Sequence, residues 1–471
     1  MIQIVLICMM YVIKSKLNII MSVRINKKIV TLCLTSLFAL QTHAAVFGTY
    51  EEEGSLFRSS LNAELSSSVA AKFDSKKNSK DAVLYYLEQA RILQVNQQYQ
   101  ESLDTYKKAF ELIDQQNNRS KISVTRMGFK ALSMVSNESV VPYLVPPYEQ
   151  VLAHISQAKN YILLNDAEAA GVEMRVAQQI QREIELAHEK EFAKKKEKQK
   201  TDNKIDYSTL DEAFVGLDPI AGRIKNTYQN GYAFYMAANL WEATGDYNNA
   251  LVDFKKAYEL QGDSNVAKDV TRVDKVSGNS AKSVPVIVFI EQGTVPEKIE
   301  NKLAFPMPNG LVNIAFATYE PSTYMPPKSL KIKLGDRQVQ QSALVSDIGA
   351  LAVKNLKEQT ISTVTSQIAR ATTKYVMQQQ LGQQLGSIGQ LAGNLMNVAT
   401  ERADLRAWST LPSNTQVARF EVSPGKHNLQ IIGQQSSSSM VNVEANPNQT
   451  VFVYVSDINN KISASVSVVT R

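Results

Sequence analysis

The sequence predicts an α+β multidomain protein: a tetratricopeptide-like helical array followed by a β-sandwich-like domain with a long helical insertion. Residues 81–264 have a mostly helical pattern in which a helix–turn–helix motif recurs. Residues 278–471 contain short apolar stretches separated by turn signals, and the pattern of the insertion at 345–400 is helical. With 471 residues, the chain is long enough for two or three domains.

The first 44 residues are typical of a leader and signal peptide. Within them, residues 21–44 have a basic start, an apolar stretch and small residues before a cleavage site after Ala44. A second apolar stretch precedes them, so we expect translation to start at Met21 rather than at Met1. An N-terminal membrane anchor is the alternative interpretation. The signal predicts an exported protein, periplasmic or associated with the outer membrane.

Both cysteines, Cys8 and Cys33, lie in this leader. Cleavage would leave a protein without disulfides, cysteine nucleophiles or thiolate metal sites. Lipid attachment at Cys33 is disfavoured, because Leu32 precedes it and the apolar stretch continues to Leu40. Cleavage would also lower the formal net charge from +6 to +1, since Lys and Arg fall from 51 to 46 against 45 acidic residues. We therefore expect no overall attraction to nucleic acid.

The helical array is predicted from three segments that share the spacing of a tetratricopeptide repeat, with small residues where two helices touch. Residues 45–80, before the array, are polar and rich in serine, which predicts an irregular segment. Residues 183–200 carry charges of both signs and predict a solvated helix extension or linker. The aligned positions are Ala90, Leu93, Ser102, Tyr106 and Ala109; Ala158, Tyr161, Ala170, Met174 and Ala177; and Ala238, Trp241, Ala250, Phe254 and Ala257.

Four aromatic residues of the array are candidates for partner binding. Tyr161 and Trp241 occupy one aligned position, where a core role competes with ligand contact. Tyr143 and Tyr148 lie in a stretch with three prolines, which cannot continue a helix. This stretch is either a rigid connector or a loop that presents both tyrosines on the inner face of the array. Because stacked helix pairs form a surface suited to a peptide or protein, we expect residues 81–264 to bind envelope proteins.

Short apolar stretches predict the strands of the C-terminal domain. In the second half of the insertion, 377–399, glycine recurs every three to four residues. This spacing favours a tightly packed helical hairpin or contact with a membrane. The predicted strands are Val286–Ile290, Val312–Phe316, Leu330–Leu334, Val417–Val422, His427–Ile432, Met440–Val443, Val451–Val455 and Ile462–Val469.

Residues 403–412 have the pattern Ala-Asp-x-Arg-x-Trp-x-x-Leu-Pro. In this pattern, and at Pro147-Tyr148-Glu149, Lys159-Asn160-Tyr161 and Gln416-Val417-Ala418-Arg419, the chain resembles a largely uncharacterised family of bacterial envelope proteins, many of them lipoproteins, with tetratricopeptide-like N-terminal halves. The resemblance implies an envelope role but no established activity. From the residues themselves we expect an ion pair between Asp404 and Arg406, with Trp408 packed beneath it. The motif positions in this chain are Ala403, Asp404, Arg406, Trp408, Leu411 and Pro412.

The sequence favours a protein that is not an enzyme and needs no metal or cofactor. The histidines after the leader are scattered, and the chain contains neither a Gly-x-Ser-x-Gly elbow nor a Gly-Lys-Ser/Thr phosphate loop. We expect a scaffold or adaptor linked to cell-wall or outer-membrane assembly. Two alternatives stay open: a membrane-active protein that uses residues 377–399, and a cell-wall glycan hydrolase with paired carboxylates. The sequence does not predict an oligomeric state.

Overall fold

The computed structural model describes residues 50–121, 142–198, 212–275, 283–307, 310–335, 338–360, 364, 402–433 and 437–471. These residues form a mixture of helices and strands, which confirms the predicted α+β class. Residues Glu53–Arg471 make one compact unit, in which helices and sheets share a core. The predicted leader lies outside the described residues. None of the helices in the described part of the chain is both long and apolar enough to cross a membrane.

In the part of the chain that the structure describes, ten helices precede the strands, and most of them are joined by short turns. Among the described residues, a further helical stretch covers 348–360. The helices are α1 (Tyr50–Ser59), α2 (Ser67–Lys76), α3 (Ala82–Val95), α4 (Tyr99–Lys121), α5 (Pro147–Leu163), α6 (Ala167–Lys198), α7 (Asp218–Ala221), α8 (Gly231–Ala243), α9 (Tyr247–Gln261) and α10 (Ser264–Asp274).

Three helix pairs, α3–α4, α5–α6 and α8–α9, are built on the same turn. Each turn holds one residue in the left-handed region, namely Gln97, Asn165 and Gly245 at φ values of 65°, 64° and 88°. The next residue donates its backbone N–H to a carbonyl five residues earlier, as Asp246 does to Trp241 at 2.7 Å. This bond satisfies a free carbonyl at the helix end.

The small residues aligned in the sequence lie where the two helices of a pair meet. Ala90, Ala158 and Ala238 on the first helices are fully buried. So are Ala109 and Ala177 on the second helices. Small side chains at these positions allow the helices to approach closely, and the larger residues between them fill the remaining space.

Two segments differ from the predictions. Residues 45–80 were predicted to be irregular, yet helices α1 and α2 lie there. The serine-rich composition of these helices suggested a loop, but one apolar contact joins them: the rings of Phe57 and Phe73 stack with 4.9 Å between their centroids. The predicted insertion at 345–400 begins inside a strand, and its helix starts at residue 348. Residues 377–399 lie outside the described residues.

Eleven strands are described, and they form three sheets. The five-stranded sheet has the order β11-β10-β1-β7-β6, with β1 and β10 parallel; the others are β2-β3 and β5-β4-β8-β9. The sequence predicted most of these strands but not β2, β5 or β6. The strands are β1 (Val284–Gln292), β2 (Lys298–Met307), β3 (Gly310–Tyr319), β4 (Lys331–Leu334), β5 (Gln338–Gln341), β6 (Ala343–Asp347), β7 (Asn414–Val422), β8 (Gly425–Ile432), β9 (Ser438–Ala445), β10 (Gln449–Ile458) and β11 (Lys461–Thr470).

Strand β1 is buried on both faces, as its unbroken apolar sequence predicts. Val286 and Val288 face the four-stranded sheet and share a core with it. Ile287 and Phe289, which point the other way, share a core with the helices. Since side chains alternate along a strand, Glu291 also points toward the helices. The five-stranded sheet is therefore a middle layer between the helix pairs and the second sheet.

We predict that Gly231→Ala destabilises the protein, because a Cβ at Gly231 would overlap the carbonyl oxygen of Val345 on β6. Both groups belong to backbone, so relief requires a shift of α8 against the sheet. We expect the free energy of unfolding in urea to fall by about 3 kcal/mol. Gly262→Ala is the control: Gly262 has φ +68° but open space around it, so only the strain of about 1 kcal/mol applies. Equal losses in the two variants would contradict this packing.

Candidate functional site

The Ala-Asp-x-Arg-x-Trp-x-x-Leu-Pro motif lies in a non-helical segment, residues 402–413, that packs against the helix pairs. We call residues 402–413 the docked segment. The predicted ion pair is present, with Arg406 Nε 2.8 Å from Asp404 Oδ1 and Nη2 2.6 Å from Asp404 Oδ2. Arg406 also pairs with Asp81, the residue that precedes α3. Lys298 Nζ donates to the Arg406 carbonyl oxygen at 2.8 Å. These charges hold the start of the docked segment against α3 and β2.

Trp408 anchors the middle of the docked segment. Its side chain is fully buried, and its ring packs edge-on against Tyr106 of α4 at 6.1 Å between centroids. The indole Nε1 donates to Thr410 Oγ1 at 3.1 Å. Pro412 is also buried, at the point where the segment leads into β7. A buried indole with a satisfied N–H contributes both apolar area and orientation.

Glu88 of α3 binds the backbone of the docked segment. Its fully buried carboxylate accepts from the Ser409 N–H at 2.6 Å, the Ser409 hydroxyl at 2.7 Å and the Thr410 N–H at 3.2 Å. Backbone N–H groups of a segment that is neither helix nor strand need such partners when they are buried. A carboxylate that accepts several of them makes strong, charge-assisted hydrogen bonds.

Glu149 of α5 supports the same segment from the second helix pair. It accepts from the hydroxyl of Tyr143 at 2.6 Å, from that of Tyr148 at 3.2 Å and from the Trp408 N–H at 3.5 Å. Burial raises the pKa of Glu149 to about 7, although the Tyr143 hydrogen bond and the charge of Lys298 oppose the rise. Glu149 is therefore a buried carboxyl that titrates near neutral pH.

Below the docked segment, Glu291 of β1 joins the two helix pairs to the sheet. Its Oε2 lies 2.7 Å from Arg91 Nη1 of α3 and 2.9 Å from Lys159 Nζ of α5. All three side chains are buried. Burial alone would raise the pKa of Glu291, but the attraction of Arg91 and Lys159 prevails and lowers it to about 2. We call this group the Glu291 triad.

The first helix of each pair is thus covered by the chain itself. Helices α3 and α5 hold the Glu291 triad and the docked segment, and Tyr232 and Tyr235 of α8 pack on Phe289 of β1 at 6.0 and 6.2 Å between centroids. This is the face that we expected to receive a partner. It does not present Tyr143 or Tyr148, whose side chains are only 5 % and 7 % exposed. Both hydroxyls instead donate to Glu149.

A groove between the second helices α6 and α9 remains open; we call it the second-helix groove. Its volume is about 470 Å³, and Trp241 and Phe234 of α8 line it. The Trp241 indole donates to Asp253 Oδ2 at 2.9 Å, and the Arg175 guanidinium lies 4.8 Å from the ring centroid. Lys256 Nζ lies 5.0 Å from the Phe234 ring centroid. Of the four predicted aromatic residues, Trp241 lines this groove and Tyr161 is half-buried on α5.

Asp253 fixes the floor of the second-helix groove. Besides the Trp241 indole, its Oδ2 accepts from Gln178 Nε2 at 2.5 Å, which ties α9 to α6. Burial raises the pKa of Asp253 to about 6, and the two hydrogen bonds oppose this rise. In the described residues, no group of three or more His, Cys, Asp or Glu side chains is arranged to hold a metal ion.

No family model matches the chain, and no curated protein or solved structure does so either.

The sequence predicted the Asp404–Arg406 pair and Trp408 but missed the residues that receive them. Glu88 and Arg91 stand in the apolar sequence of α3, and Glu291 ends the apolar run of β1. A charged residue inside an apolar run indicates a buried partner of opposite charge or a hydrogen-bonding group, because an unpaired charge is too costly to bury. This pattern could have identified the three residues. Glu149 and Lys159 belong to stretches that match the resembled family, but no other sequence pattern indicated them.

We predict that Glu88→Gln detaches the docked segment in part. The amide would point a donor at the N–H and hydroxyl donors of Ser409 and Thr410, so at least one buried donor loses its partner. The free energy of unfolding in urea should fall by about 2–3 kcal/mol. Glu111→Gln, at an exposed position of α4, is the matched control and should change it by less than about 0.5 kcal/mol. A Glu88→Gln protein as stable as the control would refute the anchoring role.

We predict that the stability of the protein falls as the pH rises from about 5 to about 8. The folded-state pKa of Glu149 is about 7, against an ordinary value of 4.5 for a glutamic acid side chain, so between pH 4.5 and pH 7 the folded protein binds the proton more tightly than the unfolded chain does. Protonated Glu149 contributes its full stabilisation below pH ~4.5, and this stabilisation is lost as the pH rises through ~7. Urea unfolding should show a loss of about 2 kcal/mol relative to Glu149→Gln, which cannot titrate. Parallel pH profiles of the two proteins would contradict this.

Proposed function

We propose that the protein is an exported, non-catalytic scaffold or adaptor that binds a partner protein of the cell envelope. In this proposal the three helix pairs are tetratricopeptide-like units, and the two larger sheets form a β-sandwich-like domain. The signal-like sequence at 21–44 supports export. The resemblance to an envelope protein family supports a link to cell-wall or outer-membrane assembly.

The observation that carries the proposal is the contrast between the two sides of the helix pairs. The first helices are used inside the protein, against β1 and the docked segment. The second-helix groove is open and combines an indole, a phenyl ring and exposed cations. Aromatic and Arg side chains are enriched at protein interfaces. We therefore assign partner binding to the second-helix groove rather than to the inner face.

The internal contacts also support a scaffold, because they hold the walls of the groove in place. Asp253 links α8, α9 and α6 through two hydrogen bonds. Arg419 of β7 pairs with Glu242 of α8 at 3.0 Å and so ties α8 to the sheet. A surface that is already ordered loses less entropy when it binds. No observation on the described residues favours the membrane-active or the glycan-hydrolase alternative over this one.

We predict that a photo-crosslinking amino acid at Val252 captures a partner in cells. Val252 lines the second-helix groove and is 52 % exposed. Val339 on β5 is 50 % exposed outside the groove and serves as the matched control. Illumination should give an adduct of one defined mass from position 252 and none of that mass from 339, and mass spectrometry should identify a cell-wall synthase or envelope lipoprotein. The same adducts from both positions, or none from position 252, would refute the assignment.

A further inference from the structure

We propose that the second-helix groove binds an acidic peptide segment of its partner, through a stripe of unpaired cations set above aromatic rings. This inference rests on the proposed function and specifies the chemistry of the partner. The proposed ligand is a protein segment, and the test below distinguishes it from other anionic polymers.

The stripe runs along both walls of the groove. Arg175 and Arg182 are seven residues apart on α6 and therefore lie on one face of that helix. Lys256 projects from α9 on the opposite wall. All three side chains are exposed, and in the described part of the chain none has a carboxylate within the 4.0 Å of an ion pair. The three cations are therefore available to a ligand.

The amide side chains between the cations already donate hydrogen bonds within the protein, to Asp253, Glu183, the Ala177 carbonyl oxygen and Asp246. Gln178, Gln179 and Gln181 line the α6 wall, and Asn249 lines the α9 wall. Guanidinium and ammonium groups only donate hydrogen bonds, whereas carboxylates only accept them. A glutamate or aspartate of a bound segment would thus meet the donors of the three cations. The rings of Trp241 and Phe234 are buried beneath Arg175 and Lys256 and hold these two cations in place.

Two carboxylates also line the groove, and their positions limit their effect. That of Asp253 is buried and already accepts from Trp241 and Gln178. Glu185 is half-buried and lies three residues beyond Arg182 on α6. The stretch from Arg175 to Arg182 is therefore the part of the groove with the strongest preference for an anion.

The docked segment provides a comparison within the same protein. There, carboxylates of the helices accept from the backbone N–H groups of an extended peptide. In the second-helix groove the chemistry is reversed, because the helices supply donors. The first arrangement suits a segment that presents N–H groups, and the second suits a segment that presents carboxylates and carbonyl oxygens.

The test is fluorescence anisotropy with the purified full chain and two labelled peptides. One peptide alternates glutamate with alanine and phenylalanine, and its copy has glutamine at each glutamate. We expect the glutamate peptide to bind at least about tenfold more tightly, and Arg175→Gln and Lys256→Gln each to weaken it by about fivefold. Glu185→Gln should strengthen it. Lys255→Gln, an exposed neighbour of Lys256 outside the groove lining, is the control and should leave binding unchanged.

The proposal would be overturned by equal binding of the two peptides or by equal weakening with Lys255→Gln and Lys256→Gln. Displacement of the glutamate peptide by a single-stranded DNA of the same charge at equal concentration would also overturn it. If neither peptide binds, the acidic-segment proposal is also wrong. Adducts from position 252 would then still support the scaffold, whereas their absence would refute the scaffold whatever the peptides do. The two proposals therefore fail separately.

Discussion

Glu291 lies on the strand that is buried on both faces, and its carboxylate neutralises cations from two different helix pairs. Arg91 belongs to α3 and Lys159 to α5, so a single acceptor sets the position of both helices on the sheet. A buried ion pair adds little net stability compared with apolar packing, whereas an unmatched buried charge is strongly destabilising. Apolar packing is non-directional. The Glu291 triad, by contrast, requires Arg91 of α3 and Lys159 of α5 to reach the same carboxylate, which fixes one arrangement of the two helices on β1.

The docked segment depends on the same triad, because Arg91 also donates from Nε to the Thr410 carbonyl oxygen at 3.5 Å. Sheet, helix pairs and docked segment thus share one guanidinium. Glu88 and Glu149 then satisfy the backbone of the segment from above, and Trp408 fills the space between the first two pairs. The first helices are engaged in these internal contacts, whereas the groove between the second helices α6 and α9 is open.

Local features of this fold could be predicted from the sequence, and pairings between distant residues could not. Small residues at fixed spacing predicted the helix pairs, and apolar runs such as Val286–Ile290 predicted strands, because both signals lie within a few turns or residues. The bond between Glu88 and Ser409 joins residues 321 positions apart, and nothing near Glu88 identifies its partner. Strand β5 was missed because all four of its residues are exposed and three of them are glutamines. Trp241, a candidate from its aligned position, lines the second-helix groove, and its role in partner binding stays a prediction.

Strand β10 lies beside β1 in the middle of its sheet, although about 160 residues separate them along the chain. The sheet therefore cannot close during synthesis until residues after 449 have left the ribosome. Until then, Phe289 and Glu291 on β1 lack part of their surroundings, and the helix pairs have no finished surface to cover. Pairing over so long a stretch is slow. Folding of this sheet therefore waits for β10, and an intermediate without it exposes the apolar edge of β1.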